Sequence, residues 1–226
     1  AIIYDINSNT TVVGNPLGGN IYIEVPYEMD EGNVEIKISN VVRSPFFSYK
    51  ESNKTSLSDW QNIERKHPGA WADFESDRYM MQVPTSWIYN FDDPQSLMQN
   101  WDRGGDAVSE LLGRPDIRTK TPTYTQVDVS FRGGAYFPGY PMSNYPYNPQ
   151  DVTDGTTDND LLKGPKHITS IHWHEHGHQE NVTKFSGETE AIVNFLYISV
   201  MNKKFDMDLD TAFKNSFSPK LNIYMD

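Results

Sequence analysis

The chain has 226 residues, 37% hydrophobic and 13% aromatic, with 19 Lys and Arg against 31 Asp and Glu for a formal net charge of -12. That is enough apolar material for one large domain or two closely packed halves, which excludes a disordered chain, and the acidic balance opposes nonspecific attraction to nucleic acid or anionic lipid. No apolar run approaches the roughly 20 residues that span a membrane, and the absence of cysteine excludes disulfides and thiolate metal ligands without deciding the compartment.

In chain order, the first part reads as mostly β. Ile21 to Val25 and Val34 to Ile38 alternate as strands do. Tyr79 to Val83 is a short apolar run before Pro84, and Val127, Val129 and Phe131 alternate again. Between them Asp93 can cap a helix whose first residue is Pro94, with Leu97, Met98 and Trp101 on one face, until Gly104-Gly105 interrupts it. Val108, Leu111 and Leu112 resume the pattern before Gly113. All these residues read as core.

Gly133 to Pro149 reads as a rigid loop rich in Gly, Pro and Tyr, and Tyr140 within it is a candidate substrate contact. Asp151, Asp154, Asp158 and Asp160 lack the spacing of a calcium-binding EF-hand loop and read as a solvated surface stretch. Then comes Ile171-His172-Trp173-His174-Glu175-His176-Gly177-His178, which contains the His-Glu-x-x-His pattern of helical zinc peptidases. Residues four apart on a helix share a face, so His174 and His178 can offer two imidazoles to one zinc ion. Glu175 lies off the ligand axis, where its carboxylate can act as general base on a water at the open position of a catalytic site.

A third ligand is required. Gln179 to Phe185 contains no histidine, which argues against the three-histidine pattern and leaves Glu180, Glu188 and Glu190. Glu180, two residues past His178, points well round the helix from the ligands. Glu190 opens the apolar run Ala191 to Met201, long enough to be a buried second helix after a break at Ser186-Gly187; a Glu in its first turn would face the imidazoles. The competing reading is a histidine-rich tract with unselective metal affinity, since five of the six histidines fall between His167 and His178. Ile171, Trp173, Gly177 and the later apolar run instead suggest two packed helices. His172 and His176 are expected at the surface or behind the ligands, and His167 in a loop.

The chain resembles the enhancin-like zinc metallopeptidases of the gluzincin class, from about Gly18 to about Tyr197. The resemblance is carried by Gly18-Gly19 with the following strand and Val25-Pro26, Pro68-Gly69-Ala70-Trp71-Ala72 with Glu75, the Asp93-Pro94 to Trp101-Asp102 helix, Gly139-Tyr140-Pro141-Met142, and Glu190 to Asn194 as Glu-x-x-x-Asn. It implies Glu190 as third zinc ligand, glycoprotein or mucin substrates, and a secreted or cell-surface location. Two departures stand out: His176 occupies a position expected to be apolar, and the chain ends soon after the second helix. The start, Ala1 to Asp5, has no signal-peptide pattern.

The expectation is an α+β protein. A β-rich portion, residues 1–130, precedes a mainly helical zinc-binding portion, residues 131–226, that is C-terminally incomplete, or the two form one continuous peptidase domain. The rival function is a noncatalytic glycan- or protein-binding module that keeps a structural zinc.

Overall fold

The computed structural model describes residues 2–16, 18–25, 29, 32–113, 122–128, 136–137, 139–144, 152–153, 156–157, 160–179 and 188–217. A mixed six-stranded sheet comes mostly from the first half and helices dominate the second, as the α+β reading expects. The sheet runs β1-β2-β3-β4-β6-β5, with β1 Phe46–Ser48, β2 Trp71–Glu75, β3 Tyr79–Pro84, β4 Thr123–Val127, β5 Tyr136–Phe137 and β6 Met142–Asn144. β1/β2, β3/β4 and β4/β6 pair in parallel, while β2/β3 and β5/β6 are antiparallel. α1 (Leu57–Asn62) connects β1 to β2 and α2 (Pro94–Leu111) connects β3 to β4.

Period-two alternation decides which face is covered. Ala72 and Phe74 of β2, Tyr79, Met81 and Val83 of β3, and Val127 of β4 are buried and form one core with Met98 and Trp101 of α2. That core also takes in Trp173, Leu196 and Val200 from the second half. Trp101 stacks on Tyr79 with centroids 3.9 Å apart and packs on Trp173 at 5.8 Å. Burial of a side chain such as Phe74, Met81 or Val83 contributes about 1.5–3 kcal/mol of transfer free energy.

α2 begins as read, with the Asp93 carboxylate accepting from the Ser96 N–H at 3.0 Å and Pro94 in its first turn. It does not stop at Gly104-Gly105 but continues to Leu111. A Cβ on Gly104 would stand 2.7 Å from the Trp173 ring, and one on Gly105 would stand 2.9 Å from the Arg78 side chain. The two glycines permit close packing rather than breaking the helix.

The N-terminal expectation is corrected. Ile21–Val25 and Val34–Ile38 join no strand pairing among the described residues, and their Ile and Val side chains are 43–66% exposed. Alternation names two faces but supplies no partner for the backbone. The segment is fixed instead through polar contacts: Asn20 Nδ2 donates to Asp73 at 2.7 Å, and the Tyr22 hydroxyl donates to the same carboxylate at 3.0 Å.

The Gly133 to Pro149 stretch contributes β5 and β6 to the sheet, so it is not wholly a loop. Val129 and Phe131 lie outside the described residues, as do Asp151, Asp154 and Asp158. Between and beside those aspartates, β7 (Val152–Thr153) and β8 (Thr156–Thr157) pair as an antiparallel ribbon. The remaining helices are α3 (Asp160–Lys163), α4 (Ser170–Gln179), α5 (Thr189–Ile192), α6 (Asn194–Phe205) and α7 (Leu209–Phe217). Among the described residues, no helix is long and apolar enough to cross a membrane.

Candidate metal centre

The His-Glu-x-x-His segment is helical in α4. The apolar run after it is split, α5 carrying Glu190 and α6 most of the rest, with Val193 as the joint. A Cβ on Gly177 would lie 2.6 Å from both Cβ and Cγ1 of Val193. Only glycine lets α4 approach this joint so closely, and that approach carries Glu190 to the histidines.

His174 Nε2 lies 3.1 Å from Glu190 Oε2 and 3.3 Å from His178 Nε2, and His178 Nε2 lies 3.5 Å from Glu190 Oε1. One donor atom from each of the three residues falls within 4.8 Å of the others. Ligands bound tetrahedrally at 2.0–2.1 Å to one ion stand about 3.3 Å apart, so the observed separations suit a small divalent cation such as zinc. The Glu190 side chain is 80% exposed and the two histidines 21%, so the cluster opens to solvent.

Asn194, present in the sequence only as part of Glu-x-x-x-Asn, sets the chemistry of the first histidine. Its Nδ2 donates to the Glu190 carbonyl at 2.7 Å, which turns its Oδ1 towards His174 Nδ1 at 2.9 Å. An amide oxygen only accepts, so Nδ1 carries the proton and Nε2 presents a bare lone pair to the cluster. Ser216 of α7 donates to the Asn194 carbonyl at 2.7 Å and holds this helix start in place. A polar residue four positions after a candidate ligand, hence on its face of a helix, is the signal that marks such a partner.

Glu175 is half-buried, and its Oε2 is enclosed without a hydrogen-bond partner among the described residues. Burial pushes its carboxyl above the ordinary range; the His174 and His178 imidazoles pull it down and Glu190 pushes it up. A partly desolvated carboxylate coupled to two candidate ligands has the character of a general base.

Other expectations divide. Glu188 is exposed and outside the donor cluster, while Glu180, Ser186 and Gly187 lie outside the described residues. His167 occupies an exposed turn, as expected, and Trp173 is buried. Ile171 is exposed rather than packed. His172 and His176 are neither at the surface nor behind the ligands: they are 0% and 3% exposed, in ring contact with Trp101, Tyr79 and Trp173. The face opposite the ligands is turned to the core, so burial holds both imidazoles neutral, His172 well below its usual range and His176 down to about 3. Tyr140 is 57% exposed, its ring edge-on to Tyr124 at 5.8 Å and its hydroxyl donating to the Pro122 carbonyl at 3.1 Å.

Known proteins share the sequence pattern and the fold. TRPM8 channel-associated factor 3 of Rattus norvegicus is 26% identical over 220 residues, 97% of this chain but 23% of that protein. The chain thus spans about a quarter of this curated relative. A functionally unknown conserved protein from Bacillus anthracis str. Ames shares the fold at a TM-score of 0.54 and 16% identity, covering 70% of this chain and 33% of that one. A metallopeptidase from Bacteroides thetaiotaomicron does so at 0.50 and 14%, covering 70% and 26%. The sequence profile described as peptidase M60, enhancin and enhancin-like, matches residues 40–222. Since the match takes in both the sheet and the helices that assemble His174, His178 and Glu190, this chain belongs to the M60, enhancin-like peptidase family.

Proposed function

We propose that the chain is the catalytic part of a zinc-dependent endopeptidase that hydrolyses peptide bonds in glycoproteins, with mucin-type O-glycosylated proteins as substrates. The observation that carries this reading is the convergence of His174, His178 and Glu190 on one point, with the Glu175 carboxylate near enough to interact electrostatically with all three. Zinc is the metal of choice because two imidazoles and a carboxylate at these separations match its ligand set.

When bound, the ion would supply Lewis acidity and lower the pKa of a water at its open position towards about 7. His174 and His178 hold it as neutral imidazoles, His174 with its tautomer set by Asn194. Glu175 takes the proton of the attacking water on its carboxylate and passes it to the leaving amine. Tyr140, exposed beside Tyr124, offers an aromatic face to the substrate. The substrate class places the activity outside the cell or at its surface.

A second reading has its own support. The curated relative is named for association with the TRPM8 channel, which favours a noncatalytic binding module that retains its metal. The Glu175 carboxylate favours catalysis, because a structural site has no use for a general base.

Zinc-loaded wild type and Glu175→Gln, incubated with an O-glycosylated mucin and followed by mass spectrometry, separate the two readings. Wild type is expected to release fragments that Glu175→Gln makes at least about 100-fold more slowly, the lower end of what a general base contributes, with equal zinc content in both. Equal fragmentation by both proteins, or none by either, would overturn the peptidase reading.

A further inference from the structure

Gln179 follows the second candidate ligand at the C-terminal end of α4. Its side-chain amide is bonded to main chain at both ends: the Tyr124 N–H donates to Oε1 at 3.2 Å, and Nε2 donates to the Tyr124 carbonyl at 2.9 Å and to the Gly139 carbonyl at 2.6 Å. The orientation of the amide follows, because carbonyl oxygens only accept.

Exchange of both an N–H and a C=O bond with one residue is how antiparallel strands pair. The place where it happens is specific. Tyr124 sits opposite Met80 of β3 on one side, while β6 joins β4 on the other only from Thr125, opposite Met142. Gln179 therefore stands in for a strand residue where β6 has not yet begun.

The same amide reaches the loop that leads into β6. Gly139 precedes Tyr140, whose ring meets Tyr124 edge-on and whose hydroxyl donates to the Pro122 carbonyl. One side chain adjacent to His178 thus ties the end of α4 to both elements that carry the tyrosine pair, half-buried Tyr124 and exposed Tyr140. It bonds neither histidine, and His174 is oriented separately by Asn194.

We infer that Gln179 is a positioning residue for substrate: it holds the Tyr124–Tyr140 wall in register with the ligand end of α4 without touching the reacting atoms. The inference rests on the peptidase reading for its kinetic consequences and on the geometry alone for its structural ones. Without the amide, three main-chain groups lose their partner and the wall is free to shift against the helix. Metal binding, which depends on groups Gln179 does not touch, is preserved.

The test uses zinc-loaded Gln179→Ala and Gln179→Glu. The second keeps an acceptor but turns a carboxylate towards two carbonyls. In both, amide exchange at Tyr124 and across residues 139–144 is expected to rise about tenfold, as local opening becomes easier, with α6 unchanged. On an O-glycosylated peptide KM should rise about fivefold, the net worth of a hydrogen bond, with kcat within about twofold and zinc content at the wild-type level. Combined with Tyr140→Ala, Gln179→Ala should add nothing to KM, since both act through one wall. Unchanged exchange, additive KM effects, or loss of zinc with KM unaltered would each overturn the inference. If wild type cleaves nothing, the peptidase reading fails by itself, and the Kd for the same glycopeptide replaces KM. A Kd unmoved by Gln179→Ala, or absence of binding, would then overturn the inference as well.

Discussion

His172 and His176 on one face of α4, and His174 and His178 on the other, share a residue type, a helix and a spacing of four. The pairs are offset by two residues, about 200° round the helix, and that rotation separates their chemistry. One pair lies against Trp101, Tyr79 and Trp173 with burial forcing it neutral. The other meets a carboxylate from α5 and an amide from α6 at hydrogen-bonding distances. Spacing permits two imidazoles to share an ion; what stands opposite them decides whether they do.

The sharpest way to break this contrast is to delete one member of each pair. His178→Ala removes one of three donors and is expected to weaken zinc binding by more than about 100-fold, beyond the usual loss for an outer-shell partner, whereas His172→Phe should leave affinity within about twofold. Competition titration with a chromogenic chelator measures both, and equal losses would erase the distinction between the faces. Next in size is Asn194→Ala, which releases His174 Nδ1 and should lower zinc affinity about 10- to 100-fold with little effect on the unfolding midpoint of the metal-free chain.

Gly177→Ala tests how the faces are brought to their partners. The new Cβ would meet Val193 at 2.6 Å, so α5 must retreat and take Glu190 with it. Overpacking of this kind costs about 1–3 kcal/mol, and urea unfolding together with a fall in zinc affinity should register it. A stable variant with unchanged affinity would show that the α4–α5 approach is not what assembles the ligands.

The last test concerns the buried face. Burial depresses the folded-state pKa of His172 and His176, so protons bind preferentially to the unfolded chain. Stability is fully present above about pH 6.5, the ordinary histidine value, and falls as pH drops from there towards the folded value, about 3 for His176. In metal-free protein the loss is about 1.4 kcal/mol per pH unit for each histidine. Urea midpoints at pH 7.5 and 5.5 should reveal it, and His176→Leu should flatten the slope. A slope unaffected by that substitution would place His176 in solvent.

Much of the fold and the centre could be read along the chain because the information is local. The Asp93-Pro94 start of α2, the short apolar run of β3 and the four-residue spacing of His174 and His178 depend only on neighbours in sequence. Glu190 was legible at one remove, through an apolar helix that had to pack on something. The failures are where a second element decides. Ile21–Val25 alternates like a strand yet finds no partner strand among the described residues. Gly104-Gly105 looks like a break but is the space that Trp173 and Arg78 need.

By itself, then, the sequence determined which residues could ligate a metal, which could act as base, and that sheet would precede helices, since helical and strand periods and side-chain chemistry are properties of short segments. Only the tertiary structure decided which face of α4 looks at the core, that Asn194 sets the tautomer of His174, and that Gly177 brings Glu190 within 3.1–3.5 Å of two imidazoles. Those outcomes depend on close packing between segments distant along the chain, and no one segment encodes the shape of its partner.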